Sequence, residues 1–418
     1  MNEPSKFSVY PLLAFLAVIL FLLSLVDGAI PQLQMFLLGG HILISNVLVK
    51  ITLLATVALG SCLHPTLKLA GLPMFAWLLC VGFLIVEIPF LILACGMSVG
   101  DLLQSYNAYY LLLLIGPVLL VFQDAVSERI MIRWIVLLLL VCAAIGVAQY
   151  VTAKPILYTQ STDGGFAIQS WEFFGDVRAF SLFTTGLSFG IFCAFCGALG
   201  VALSRTLPTR GTLLVIVSAL ACFTTLTRLC YLVFFCACTY AVVLTFGRRR
   251  TRGLLLPLLF AALGIGTIAF GLNSIASGGA TNLQDVGSTL MRVDEWTYYF
   301  NLLIHATLAH QLFGFGIVQN EKLISSAPMA IDNVPLALIM HIGIVGLALF
   351  GVLLIKMWLY LRREALSTQQ PLLIAAASLW ATFACAGIFN IVFGSFGAVF
   401  ALVILCKRES VMNQHTSP

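Results

Sequence analysis

Charge is scarce in this chain. Asp, Glu, Lys and Arg together fill 9% of 418 positions, where a water-soluble domain devotes about a quarter of its residues to them. An ordinary soluble globular fold is thereby excluded. No glycine-rich phosphate loop leads into a helix, which removes the commonest nucleotide-binding device. The twelve cysteines avoid the polar loops: all sit in or beside apolar runs, including Cys193-x-x-Cys196 and Cys236-x-Cys238. There they read as small buried hydrophobes, not as a disulfide framework or a metal site. The first apolar run, Tyr10 to Val26, lacks the small-residue cleavage site of a signal peptide and is expected to remain as a span. The net charge of +5 forms no single basic patch, so nucleic acid is not an expected partner.

What is present is apolar sequence, 61% of the chain, in runs long enough to cross a bilayer at about 20 residues each. The expectation is an all-α polytopic membrane protein, one integral membrane domain over 1–418, with about twelve transmembrane helices. They fall near 8–27, 42–63, 70–96, 105–123, 132–151, 179–203, 211–227, 229–247, 254–274, 334–358, 371–388 and 390–406. The run from Gly211 to Phe246 is too long for one span, and Thr225-Leu-Thr-Arg228 supplies its break. With both termini on the cytoplasmic side, fifteen of the 21 Lys and Arg residues lie inside and five outside, with Lys50 within a span. That is the asymmetry of the positive-inside rule. Two external loops of substance result, 152–178 and 275–333, and Asp163, Glu172, Asp176, Asp285, Asp294, Glu295, Glu321 and Asp332 fall in them.

The larger loop is far longer than a usual connection, which points to function. Within it Leu290, Val293, Trp296, Phe300, Ile304, Leu308 and Leu312 recur at intervals of three and four. The spacing predicts one amphipathic helix lying at the membrane surface, stopped by Gly314 and Gly316. Three arginines are expected where external loops meet the membrane: Arg178, Arg228 and Arg292. Each alone is explained by anchoring at lipid headgroups. A charge in the tight turn at Arg228 is harder to explain that way, since arginine costs about 2.5–3.5 kcal/mol at the bilayer centre. Together the three form a candidate cluster for an anionic, membrane-borne substrate, because guanidinium binds phosphate bidentately and stays charged. Candidate proton acceptors are Asp332, His305 and His310, with Asp294 and Glu295 behind them. Asp332, ahead of Asn333 and Pro335, reads equally as a helix cap. On an unbroken helix His310 would stand ~27 Å from Arg292, too far to share one reacting bond. Glu87, His341 and Lys50 are ionisable residues inside spans, and interhelical contacts are the simpler account of them.

These elements taken in order resemble the O-antigen ligase and Wzy-type polysaccharide polymerase superfamily. The matching residues are Arg178-Ala-Phe before a span, Leu226-Thr-Arg228 at a tight turn and Arg292-x-x-x-Trp296 in the large loop. Leu312-Phe-Gly314-Phe-Gly316 and Asp332-Asn333 follow, and then Gly343-Ile-Val-Gly346. The resemblance implies a cofactor- and metal-independent inverting glycosyltransferase using undecaprenyl-diphosphate-linked oligosaccharide at the periplasmic face of the bacterial inner membrane. It assigns the lipid pyrophosphate to Arg178, Arg228 and Arg292, and deprotonation of the acceptor hydroxyl to a base in the large loop. Ligases of this kind carry a histidine at the end of that loop, whereas this chain has Asp332. That departure favours a polymerase of O-antigen or exopolysaccharide repeat units, with Asp332 as base and His305 or His310 as substitutes. A chain-length regulator is then a possible partner. A ligase to lipid A-core is the alternative. A transporter of lipid-linked glycans is a weaker one, because no two-fold internal repeat is present.

Overall fold

The computed structural model describes residues 9–26, 32, 34, 37, 46–63, 74–95, 98, 122, 126–154, 172–173, 176–183, 185–247, 256–257, 259–260, 262, 294, 296–315, 333–389 and 393–406. Among these the chain is helical, apart from one two-residue antiparallel ladder. The helices are α1 (Val9–Leu25), α2 (Asn46–Leu63), α3 (Met74–Cys95), α4 (Glu128–Thr152), α5 (Gly186–Ser204), α6 (Pro208–Thr224) and α7 (Arg228–Phe246). They continue as α8 (Leu308–Phe313), α9 (Val334–Thr368), α10 (Pro371–Ala381), α11 (Phe383–Phe389) and α12 (Phe393–Leu405). Residues 296–304 form a further helical segment ahead of α8. The ladder joins β1 (Glu172–Phe173) to β2 (Asp176–Val177), pairing Glu172 with Val177 and Phe173 with Asp176.

The helices show why lipid is their solvent. In α4 the buried residues Met131, Ile135, Leu139, Cys142, Gly146 and Gln149 follow the helical period along one face. The opposite face, with Leu137, Leu140, Val141 and Val147, is exposed and equally apolar. A helix apolar all round is stable only where its outer face meets hydrocarbon or protein. Helices α4, α5, α7 and α9 are each long and apolar enough to cross a membrane. The spans expected at 105–123 and 254–274 lie mostly outside the described residues, and each of the other ranges coincides with a helix or helix pair.

Helix α5 is the hub. Most of its length is buried, and it packs against α4, α6, α7, α10 and α12. Glycines allow that closeness: a Cβ on Gly200 would stand 2.8 Å from the Gly211 carbonyl oxygen of α6. Small residues play this part between membrane helices, where backbones approach for van der Waals contact. At one end of the bundle the Glu128 Oε1 at the start of α4 accepts the Leu372 N–H at 3.0 Å, closing the start of α10. Leu372 follows the end of α9, so the far end of α4 and the start of α9 point to the same opposite end of the bundle.

Three expectations need correction. The span near 179–203 begins only at Gly186, because residues 178–183 form a non-helical strap. The span near 371–388 is two helices, α10 and α11, joined at Thr382. The amphipathic helix expected to run unbroken through Leu312 is also interrupted. It ends after Ile304, and α8 restarts at Leu308 with Thr307 as its cap, the Thr307 Oγ1 accepting the His310 N–H at 3.4 Å. The break is stabilised by the Gln311 Nε2, which donates to the carbonyls of Ile304 (3.2 Å) and Leu303 (3.1 Å), the latter also accepting the Ala306 N–H. Tyr299 and Leu303 pack with Phe315, Leu336, Ala337 and Met340, while Phe300, Ile304 and Leu308 stay exposed on the other side.

Candidate functional site

The site is built from the strap at residues 178–183. Ala179 donates its N–H to the Thr224 carbonyl at 3.1 Å, which ties the strap to the end of α6 beside the α6–α7 turn. Phe180 and Ser181 donate their N–H groups to the Gln149 Oε1, at 3.2 and 2.7 Å, and the Gln149 Nε2 reaches back to the Ser181 carbonyl at 3.4 Å. The Ser181 hydroxyl donates to the Cys142 carbonyl at 2.7 Å, two turns earlier on α4. Ser181 itself adopts φ +54°, a left-handed conformation uncommon for a non-glycine residue. The strap is thus pinned between α4 and α6 by named bonds at successive residues.

Arg178 is the residue immediately before those bonds, half-buried, and within electrostatic range of Cys230 and Tyr231. Cys230 is on the first turn of α7, which Arg228 opens as an exposed residue. The structure therefore brings Arg178 and Arg228, fifty positions apart, to one end of the bundle. The turn that carries Arg228 is tight: Leu226 has φ +47°. Thr227 does not cap α7 with its side chain. Its hydroxyl turns back to the Thr225 carbonyl at 3.0 Å, so an anion can meet the positive end of the helix dipole there. Arg292 lies outside the described residues, and so does Asp332.

A separate feature is the interlock of α8 with α9. At Gly343 (φ 70°, ψ −175°) α9 is broken. Gly314, with φ 82° and ψ −177°, ends α8. A Cβ at Gly314 would collide with the His341 carbonyl oxygen, and one at Gly343 with the Leu312 carbonyl oxygen. The Phe315 N–H donates to the Met340 carbonyl at 2.8 Å, satisfying a backbone group that the break frees. Such a break is tolerated at membrane depth only where neighbouring protein restores the lost hydrogen bonds. The two glycine motifs that the sequence separates are thus one contact.

Among the candidate proton acceptors in the described residues, His310 has side-chain contacts on two sides. Its Nδ1 and the Thr307 Oγ1 are 2.7 Å apart, and its ring stacks on Phe315 with centroids 4.8 Å apart. His305 is exposed, just past the end of the 296–304 segment, with its N–H on the Asn301 carbonyl at 3.1 Å. Asp294 is exposed as well. The cap of α9 is Asn333, whose side chain accepts the Leu336 N–H at 2.9 Å, with Pro335 in the first turn. The capping role that sequence offered to Asp332 is filled by its neighbour. His341 is buried in the α9 break. Among the described residues no group of three or more His, Cys, Asp and Glu side chains is placed to hold a metal, and the described cysteines are unpaired. Gln149 was not singled out by sequence, although a lone glutamine on the buried face of an apolar span is a usable signal.

Residues 213–351 match the Wzy_C family model, described as O-antigen ligase. The matched stretch takes in the α6–α7 turn with Arg228, both histidines, the Gly314 and Gly343 motifs and most of α9. Arg178 and its strap precede it. The match agrees with the resemblance read from the motifs, and members of that family are membrane glycosyl-transferring enzymes acting on lipid-linked glycans. No curated protein matches the chain.

Proposed function

We propose that this chain, whose residues 213–351 match a family model described as O-antigen ligase, is a polysaccharide polymerase. It would transfer a growing glycan from undecaprenyl diphosphate to the next lipid-linked repeat unit at the external face of the inner membrane. The observation that carries the reading is the docking of the strap beside the α6–α7 turn, which puts Arg178 and Arg228 at one end of the bundle. Two guanidinium groups at a helix N-terminus suit a diphosphate better than any neutral ligand. In the reaction an acceptor hydroxyl attacks the anomeric carbon from the face opposite the diphosphate. The bond from that carbon to the diphosphate oxygen breaks, undecaprenyl diphosphate leaves with the bonding pair, and a base takes the hydroxyl proton.

Arg178, Arg228 and Arg292 would stabilise charge developing on the leaving diphosphate. Asp332, relieved of capping by Asn333, is the base assigned here. His310 and His305 are its substitutes. The exposed Phe300, Ile304 and Leu308 row would rest on lipid. Ligation to lipid A-core is the second reading, favoured by the description of the matching family model.

The test is to express Arg228→Ala and, separately, Asp332→Ala in a strain lacking the protein, and to resolve lipid-linked glycans on a gel. Polymerase function predicts a single lipid-linked repeat unit accumulating without its ladder. A ladder that persists on undecaprenyl diphosphate but never reaches lipid A-core means ligation. Normal glycan from both variants would remove both residues from the site.

A further inference from the structure

We propose that Gln149 is a positioning residue for the diphosphate site: its side chain sets Arg178 by holding the two residues that follow Ala179. The inference rests on Arg178 binding diphosphate, as argued above. Gln149 is fully buried, near the end of α4, in a helix otherwise apolar over its last four turns except for Tyr150 and Thr152. A primary amide there is costly unless satisfied, and both its functions are used. Its oxygen accepts from Phe180 and Ser181, and its nitrogen donates to Ser181. Those bonds hold backbone, not another side chain, so what they specify is the path of the strap. Ser181 at φ +54° would relax elsewhere without them, since a non-glycine residue persists in that region only when its surroundings over-determine it.

Upstream of the clamp the Ala179 N–H is tied to the Thr224 carbonyl, and Val177 is paired with Glu172 in the ladder. Arg178 therefore leaves the backbone one residue ahead of a fixed point on α6 and two ahead of a fixed point on α4. Holding the strap backbone in advance lowers the ordering cost that a ligand on Arg178 would otherwise meet, which is how preorganised sites gain affinity. Gly186 completes the seat: a Cβ there would come within 3.1 Å of the Ala179 carbonyl oxygen. None of these groups needs to touch the ligand. The prediction is that removing the amide weakens diphosphate binding only through Arg178.

The experiment is a double-mutant cycle on the full-length protein in detergent, titrated with farnesyl diphosphate and, as a control, farnesol. Arg178→Ala is expected to weaken farnesyl diphosphate roughly tenfold, as loss of a charge-assisted bidentate contact does. Gln149→Leu should weaken it by a similar factor, and the double variant should bind no worse than Arg178→Ala alone. Farnesol affinity should not change. If Gln149→Leu fails to fold by its elution profile, Ser181→Ala replaces it in the same cycle. It removes only the hydroxyl tie to α4, and its smaller loss should likewise vanish on the Arg178→Ala background. Multiplicative losses in the cycle, or an equal loss of farnesol, would show that the clamp merely supports the fold and overturn the inference alone. Undiminished binding by Arg178→Ala would overturn the diphosphate reading of Arg178 itself, and this inference with it.

Discussion

Two glycines carry more of this structure than any charged residue does. Gly314 and Gly343 both occupy φ near +80° with ψ near 180°, a region open essentially to glycine alone. Each also lies so close to the other's segment that a methyl group would strike a carbonyl oxygen. Gly343→Ala should therefore lower stability by about 1–3 kcal/mol from backbone strain, with the clash added. Thermal unfolding in detergent should show a clear drop in midpoint. Gly351, a few residues along α9, has nothing within 4 Å of its added Cβ and serves as the control: alanine there should be neutral or slightly stabilising, because glycine is the poorer helix former. Equal midpoints for the two variants would contradict the interlock.

At the scale of elements, the ends of helices hold the bundle in register, since apolar faces alone permit sliding. The carboxylate at the start of α4 receives the first turn of α10, and the amide near the end of α4 receives the strap ahead of α5. Glu128→Ala would leave the buried Leu372 N–H without its acceptor, at a cost of about 1–3 kcal/mol. Glu128→Gln keeps an oxygen in place and should cost much less, a difference that denaturation midpoints would expose. The periodicity of 290–312 could not reveal the break after Ile304, because Ile304, Leu308 and Leu312 keep their spacing across it. The interruption is marked instead by Thr307 and Gln311, polar residues that the apolar pattern passes over. Helices α10 and α11 likewise read as one apolar run, and the turn at Thr382 is signalled by a single hydroxyl, which donates to the Leu379 carbonyl at 2.7 Å.

At the scale of the whole molecule, the positions of the described helices were legible because hydrocarbon imposes length and composition on anything that crosses it. Arg178, Arg228 and the glycine motifs were legible as candidates for a related reason: polar and flexible residues stand out against an apolar background. What brings them together was not. The strap on α6 and the clamp on Gln149 are long-range backbone contacts, which leave no periodic trace. The proposed activity is the formation of glycosidic bonds at the expense of a lipid diphosphate. The most direct measurement is mass spectrometry of purified protein in liposomes supplied with undecaprenyl-diphosphate-linked repeat units. The account predicts lipid-linked dimers and longer chains, one undecaprenyl diphosphate released for each bond formed, and neither product from Arg228→Ala. Intact substrate with no released undecaprenyl diphosphate from a folded wild-type protein would contradict it.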